Sequence, residues 1–229
     1  MLEIPWLSED SYEFPPIDSA MTEPNGLLAA GGDLSAERLI AAYKQGIFPW
    51  YEEDQPILWW CPSPRSVLFP AELKISKSLA KTLRQNRFDV RVDTCFEDVI
   101  RHCAAPREEG GGTWITEDMI QAYCHLHRLG VAHSVETWQN GELVGGLYGI
   151  SIGCIFFGES MFSTRANASK VAFVHIVRHL HEAGFPIIDC QVANPHLESL
   201  GATDIPLRYF KQIVNAHIYE EPGETWLAK

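Results

Sequence analysis

The chain has 229 residues, of which 46% are hydrophobic and 21% charged, with a formal net charge of −12; this is the make-up of an ordinary globular protein and excludes extensive disorder. So acidic a chain is also excluded from indiscriminate binding to nucleic acid, because attraction to phosphate is the sequence-independent part of that affinity. Six cysteines (Cys61, Cys95, Cys103, Cys124, Cys154, Cys190) lie far apart with no CxxC pair, which predicts reduced thiols rather than disulfides or a zinc ribbon.

Residues 1–10 carry Glu3, Glu9 and Asp10 and no basic residue, and no apolar run approaches a bilayer span, so the expectation is a cytoplasmic protein without a membrane partner. The charge is unevenly placed. Arg65, Lys74, Lys77, Lys81, Arg84, Arg87 and Arg91 stand against only Glu72 and Asp89, so residues 65–91 carry +5 and the rest of the chain −17.

In chain order, Ser35 is placed to cap a helix through Lys44, with Leu39, Ile40 and Tyr43 as its apolar positions and Gly46 as its stop. Residues 47–65 hold four prolines among Phe48, Trp50, Tyr51, Trp59 and Trp60, which predicts an ordered, aromatic-rich connection. A domain boundary is expected there, dividing a small N-terminal domain, residues 1–63, from a larger one, residues 64–229. Ser76 opens a helix on which Lys77, Lys81 and Arg84 recur at spacings of four and three, along one face. That face suits phosphate contacts, and it suits a merely solvated surface equally well.

Residues 88–93 alternate as a strand, Thr94 and Glu97 form a capping box for a helix to Cys103, and Thr116 caps a further helix stopped by Gly130. Between these helices, Gly110, Gly111 and Gly112 predict a loop able to close over a ligand. Asn140-Gly141 joins two strands as a hairpin, and residues 154–157 supply the next strand. Asn167 caps a long helix to Glu182, a buried strand covers residues 186–191, and a last helix begins at Pro206. The chain therefore reads as α+β with its sheet in the larger C-terminal part.

Few residues carry chemistry on their own evidence. Asp189 and Gln191 share one face of a strand, where the carboxylate can brace the amide or both can simply satisfy loop backbone. Glu159 is a lone carboxylate among apolar neighbours, suited to a cationic substrate group or to an internal salt bridge. His175 and His179, four apart on a helix, lack the glutamate of HExxH and a third ligand, so no metal is expected. The aromatic group of residues 48–60, with Trp114 and Tyr123, offers stacking walls for a base and an apolar side chain, or plain core packing.

Several longer blocks carry a resemblance: Glu23-Pro24-Asn25-Gly26-Leu27-Leu28-Ala29, Gly31-Gly32-Asp33-Leu34, Gln45-Gly46-Ile47-Phe48-Pro49-Trp50, Trp59-Trp60-Cys61-Pro62, Thr113-Trp114-Ile115-Thr116, Gly145-Gly146-Leu147-Tyr148-Gly149, residues 157–163, Asn167-Ala168-Ser169-Lys170, Ile188-Asp189-Cys190-Gln191 and Ser199-Leu200-Gly201-Ala202. In this order, over residues 14–210, the chain resembles the leucyl/phenylalanyl-tRNA-protein transferases. The resemblance implies a C-terminal acetyltransferase-like (GNAT) domain with a mostly antiparallel sheet, working as a monomer without metal, coenzyme A or any other cofactor. It implies transfer of a leucyl or phenylalanyl group, with methionyl as a further donor, from aminoacyl-tRNA to the α-amine of proteins beginning with arginine or lysine, which marks them for N-end-rule degradation.

Residue by residue, the resemblance implies catalytic roles for Asp189, Gln191, Glu159 and Asn194, with Glu159 also near the acceptor's basic side chain. The aminoacyl group and the RNA 3′ end fall to Tyr43, Trp50, Trp114, Tyr123, Leu147, Phe156, Gly158, Met161 and Ile176, and the tRNA backbone to Arg65, Lys74, Lys77, Lys81 and Arg84. An acetyl-CoA-dependent acetyltransferase would carry a glycine-rich pyrophosphate turn before the long helix, where this chain has Ser163-Thr164-Arg165-Ala166-Asn167. A non-catalytic adaptor for basic N-termini would need neither the basic helix nor a donor pocket.

Overall fold

The computed structural model describes residues 4–105 and 115–223; the glycine loop and Trp114 lie outside the described residues. The N-terminal part builds a sheet from β1 (Trp6–Leu7), β2 (Leu27–Gly31), β3 (Phe48–Pro49) and β4 (Leu58–Trp60), in the order β1-β2-β4-β3. Helix α1 (Ala36–Tyr43) follows β2, and Ser35 caps it by accepting from the Arg38 amide at 3.4 Å. Residues 47–65 are thus not a connection alone. Phe48–Pro49 and Leu58–Trp60 pair antiparallel across the acidic turn between them, and the Pro49 ring is tolerated because β3 is an edge strand.

The second sheet begins at β5 (Arg65–Leu68) and continues with β6 (Asp89–Val92), β7 (Ala132–Gln139), β8 (Glu142–Ile152), β9 (Ile155–Ser163), β10 (Ile187–Gln191) and β11 (Thr203–Ile205), ordered β11-β5-β10-β9-β8-β7-β6. Its neighbours are antiparallel except for β9 and β10, so this is a mixed α+β fold whose two sheets are mostly antiparallel. Helices α2 (Lys77–Arg84), α3 (Phe96–Ala104), α4 (Glu117–Arg128), α5 (Ala168–Glu182), α6 (Pro195–Glu198) and α7 (Leu207–His217) complete it.

Local chemistry explains most of these elements. Asn140 and Gly141 both take positive φ, 54° and 81°, as a two-residue hairpin turn requires. Ser76 and Thr116 cap α2 and α4 through the Leu79 and Met119 amides. Two expected caps are absent. The Thr94 hydroxyl donates instead to Oε2 of buried Glu136 at 2.8 Å, whose Oε1 accepts from Ser134, so that both oxygens of a carboxylate in the sheet are satisfied, a greater gain than a capped helix end in solvent. Asn167 is left-handed at φ 68° and its amide donates to Thr82, tying α5 to α2.

The parallel pair sets up the site. Residues 155–157 of β9 pair with 187–189 of β10, the connection between them running through α5. Beyond Asp189 the register of β10 breaks, while β9 runs on to Ser163 beside β8. Residues 158–163 and 190–192 therefore do not pair with each other, and together with Ile188 and Asp189 they line a cavity. Helix α5 approaches β8 closely because residue 145 is glycine; a Cβ there would stand 2.6 Å from that of Ala168.

One apolar cluster joins Leu28, Leu39, Tyr43 and Trp59 of the N-terminal part to Tyr123, Phe157 and Phe210 of the rest, so the two sheets share a core. A second cluster packs α5, through Val174, Ile176 and Val177, onto Leu147, Phe156 and Ile188.

Candidate active site

The cavity between the parting strands has a volume of about 570 Å³, ample for an amino-acid side chain and part of a nucleoside. Leu147, Phe156, Met161 and Ile176 form its apolar wall, Gly158 its backbone floor, and Trp50 its mouth, 45% exposed. Trp50 is braced by Trp60, whose indole N–H donates to the Trp50 carbonyl at 2.6 Å. Phe173 and Ser169 line the same wall. They escaped sequence reasoning, although with Ile176 they make one stripe at helical spacing along α5.

The polar end is built by β9 and β10. Asp189 is fully buried and holds Arg65 through two hydrogen bonds, Nε to Oδ1 at 2.8 Å and Nη2 to Oδ2 at 2.6 Å. The Arg65 guanidinium packs against the rings of Phe48 and Phe210, at 5.0 and 4.6 Å from their centroids. Arg65 is 1% exposed, which removes it from the proposed tRNA-backbone set. A buried guanidinium paired to a buried carboxylate and packed against two rings has no access to an external phosphate.

Gln191 sits at φ 63°, an unfavourable conformation for a residue with a side chain, costing on the order of 1–3 kcal/mol. The Asp189 carboxylate offsets part of that cost by accepting the Gln191 backbone N–H at 2.9 Å. The expected brace between Asp189 and the Gln191 amide is therefore corrected: Asp189 fixes the backbone, and the amide nitrogen instead donates to Glu159 at 2.9 Å. The β-bulge moves Gln191 out of the simple alternation of a strand.

Glu159 closes the network. Its carboxyl meets the Tyr43 hydroxyl at 2.8 Å, the Tyr123 hydroxyl at 3.2 Å and the Gln191 amide, and the two tyrosine hydroxyls also touch each other. Solvent reaches it in part through the cavity, while protein encloses it elsewhere. Burial raises its pKa from 4.5 to about 7, against the lowering effect of the hydrogen bonds from Tyr43 and Tyr123 and with a further push from Asp189. Glu159 has no ion-pair partner among the described residues, so the internal salt bridge is not formed. Burial also raises the Tyr43 and Tyr123 hydroxyls well above 10, so both stay protonated.

Tyr43 and Tyr123 thus stand behind Glu159 and not in the cavity wall. Asn194 lines the cavity and caps α6, accepting from the His196 amide at 2.8 Å. Cys190 also lines it, but burial raises its thiol strongly, which excludes it as a ready nucleophile. Lys74, Lys77, Lys81 and Arg84 are exposed on and before α2. His175 and His179 stack at 6.0 Å on α5.

The family model described as leucyl/phenylalanyl-tRNA protein transferase matches residues 67–215, and the model of that family's N-terminal domain matches residues 32–63. Curated relatives named leucyl/phenylalanyl-tRNA–protein transferase include one from Nitrosospira multiformis, 59% identical over 227 residues, covering 97% of this chain and 96% of the relative. Another, from Aromatoleum aromaticum, is 62% identical over 220 residues, covering 96% and 92%. Among solved structures, L-PGS from Bacillus licheniformis is similar at 12% identity with a TM-score of 0.40, covering 79% of this chain and 62% of that one.

Proposed function

The chain belongs to the leucyl/phenylalanyl-tRNA protein transferase family, and from that premise we propose that it moves a leucyl or phenylalanyl group, and at need a methionyl group, from aminoacyl-tRNA to the α-amine of proteins beginning with arginine or lysine. The observation that carries this reading is one cavity with two ends: an apolar wall of Leu147, Phe156, Met161 and Ile176, and a polar end of Glu159, Gln191 and Asn194. The first fits an apolar aminoacyl side chain and the second the amine that attacks its carbonyl. We further propose that residues 1–63 and 64–229 are two domains, the second of the GNAT type, and that the enzyme works as a cytoplasmic monomer.

The ester of a charged tRNA is already activated, so the protein has chiefly to align the amine and manage its proton. An α-amine has a reference pKa of about 7.7–8.0, so a neutral nucleophile is available near physiological pH. The Gln191 amide nitrogen is engaged by Glu159, which leaves its carbonyl oxygen to accept from the incoming amine and orient it. Of the two roles considered for Glu159, its enclosure beside Gln191 favours the reacting centre over an outlying partner for a long cationic side chain. The acidic surface outside residues 65–91 favours approach of a basic N-terminus, and the exposed cations of α2 favour the RNA.

The test is transfer of labelled leucine from leucyl-tRNA to peptides that differ only in an N-terminal arginine, lysine or alanine. Incorporation into the basic peptides, lost in Gln191→Ala, supports the reading. No incorporation while the RNA binds normally overturns it.

A further inference from the structure

The contacts around Glu159 can be counted in protons. The Tyr43 hydroxyl, the Tyr123 hydroxyl and the Glu159 carboxyl touch one another pairwise, with Tyr43 at Oε1 and Tyr123 at Oε2. Three oxygen-to-oxygen contacts need three protons, and two phenols supply two. If Glu159 were ionised and both phenols pointed at it, the two phenol oxygens would face each other with no proton between them. A proton on Glu159 completes the set: Oε2–H donates to Tyr123, Tyr123 to Tyr43, and Tyr43 back to Oε1. Donors and acceptors then run in one direction around a closed ring, the arrangement in which successive hydrogen bonds reinforce one another.

The other groups around the carboxyl act in opposite senses: Asp189 of β10 adds negative charge that disfavours ionisation, while Arg65 of β5 adds positive charge that favours it. The Gln191 amide donates to Oε1, which favours the ionised form and which the carbonyl oxygen of a neutral carboxyl also accepts. From β8, buried Tyr148 supplies no hydrogen bond to Glu159, its own hydroxyl having no partner among the described residues.

We infer that Glu159 rests as a neutral carboxylic acid in a three-membered ring with Tyr43 and Tyr123, and that it acts as the proton shuttle of the transfer. This rests on the proposed transferase reaction. In that reaction the amine nitrogen bonds to the ester carbonyl carbon, the bond from that carbon to the ribose oxygen breaks, and one proton passes from nitrogen to the leaving oxygen. For the transfer the ring opens at Oε2: Glu159 turns its proton from Tyr123 to the leaving oxygen and takes the one from nitrogen, ending as it began. Gln191 holds the amine, so the amide is not asked to act as a base.

The ring can be tested without substrate. Infrared difference spectra of the wild-type protein, with and without ¹³C-carboxyl glutamate, should show a protonated carboxyl near pH 6 that fades as the pH rises through about 7 and is missing from Glu159→Gln. An ionised Glu159 at pH 6 overturns the inference.

The shuttle is tested by the same variant. Glutamine reproduces the protonated acid, its NH₂ donating to Tyr123 and its oxygen accepting from Tyr43, so the ring and the fold are kept. Steady-state transfer to an arginine-initiated peptide should then keep the wild-type KM while kcat drops roughly 10²–10⁴-fold, the usual worth of a positioned acid or base. The fall in wild-type kcat at alkaline pH should vanish from the variant. A Glu159→Gln enzyme with full kcat overturns the shuttle. A wild-type enzyme that transfers nothing overturns the transferase reading and the shuttle with it, whereas the infrared result still decides the ring.

Discussion

Arg65 and Asp189, 124 residues apart, meet in a buried two-point ion pair at 2.8 and 2.6 Å, with the rings of Phe48 and Phe210 packed against the guanidinium. The pair pins β5 to β10 and carries the Gln191 backbone with it. Breaking one side should be costly, because the other charge stays buried. Arg65→Met should lose roughly 3–5 kcal/mol of unfolding free energy in urea, and Arg65→Met with Asp189→Leu should recover part of it, the remainder being about 1–3 kcal/mol for the Gln191 N–H left without its acceptor. A single variant within 1 kcal/mol of wild type would mean that solvent or a rearrangement satisfies Asp189.

That pair also marks what the sequence could not convey. Asp189, Gln191 and Glu159 were legible as candidates because they interrupt apolar strands, and the hairpin at Asn140-Gly141 and the Ser76 and Thr116 caps were legible because their signals are local. Arg65 read as one more cation of a basic stretch, since nothing in its neighbourhood names a partner 124 residues away. Thr94 and Asn167 misled for the same reason: each has a good local role that a tertiary hydrogen bond outcompetes. The network at Glu159 draws Tyr43 from α1 and Tyr123 from α4, whose helical periodicity indicated only buried faces.

Glu159 makes stability depend on pH in a known sense. Its folded pKa, about 7, lies above the ordinary value of 4.5, so the folded state holds the proton more tightly. The resulting stabilisation is fully present below pH 4.5 and is lost as the pH rises through 7. A shift of this size corresponds to at most about 3 kcal/mol, reduced by whatever screening the cavity water provides. Glu159→Gln, neutral throughout, should therefore match wild type near pH 4.5 and exceed its Tm by several degrees at pH 8. A Tm difference that stays flat or shrinks over that range contradicts a raised pKa.

The basic face of α2 makes a separate prediction about the RNA. Alanine at Lys77, Lys81 and Arg84 together should raise the Kd for donor tRNA and lower the slope of log K against log salt by roughly two to three, since each lost phosphate contact removes about 0.7–0.9. Arg101, exposed on α3 and paired with Glu97 and Glu117, serves as the control and should change little. If the triple variant binds like wild type at every salt concentration, the face is only solvated.

The apolar wall should decide which aminoacyl group enters. Ile176 is 1% exposed and stands on α5 facing Leu147 and Phe156, so added volume there projects into the cavity and not into solvent. Ile176→Phe should depress transfer of phenylalanine more than of leucine, because the larger ring meets the added one first. Differences of one or two methylene-sized groups in an apolar pocket are worth about 1–3 kcal/mol, so the ratio of the two kcat/KM values should move by roughly 10–200-fold. The added ring also strains a packed core by about 1–3 kcal/mol, so Tm is measured alongside to separate folding from selection. Equal losses for both donors would place Ile176 in the core alone and leave the sizing of the pocket to Met161, whose unbranched side chain adapts to either group at little cost.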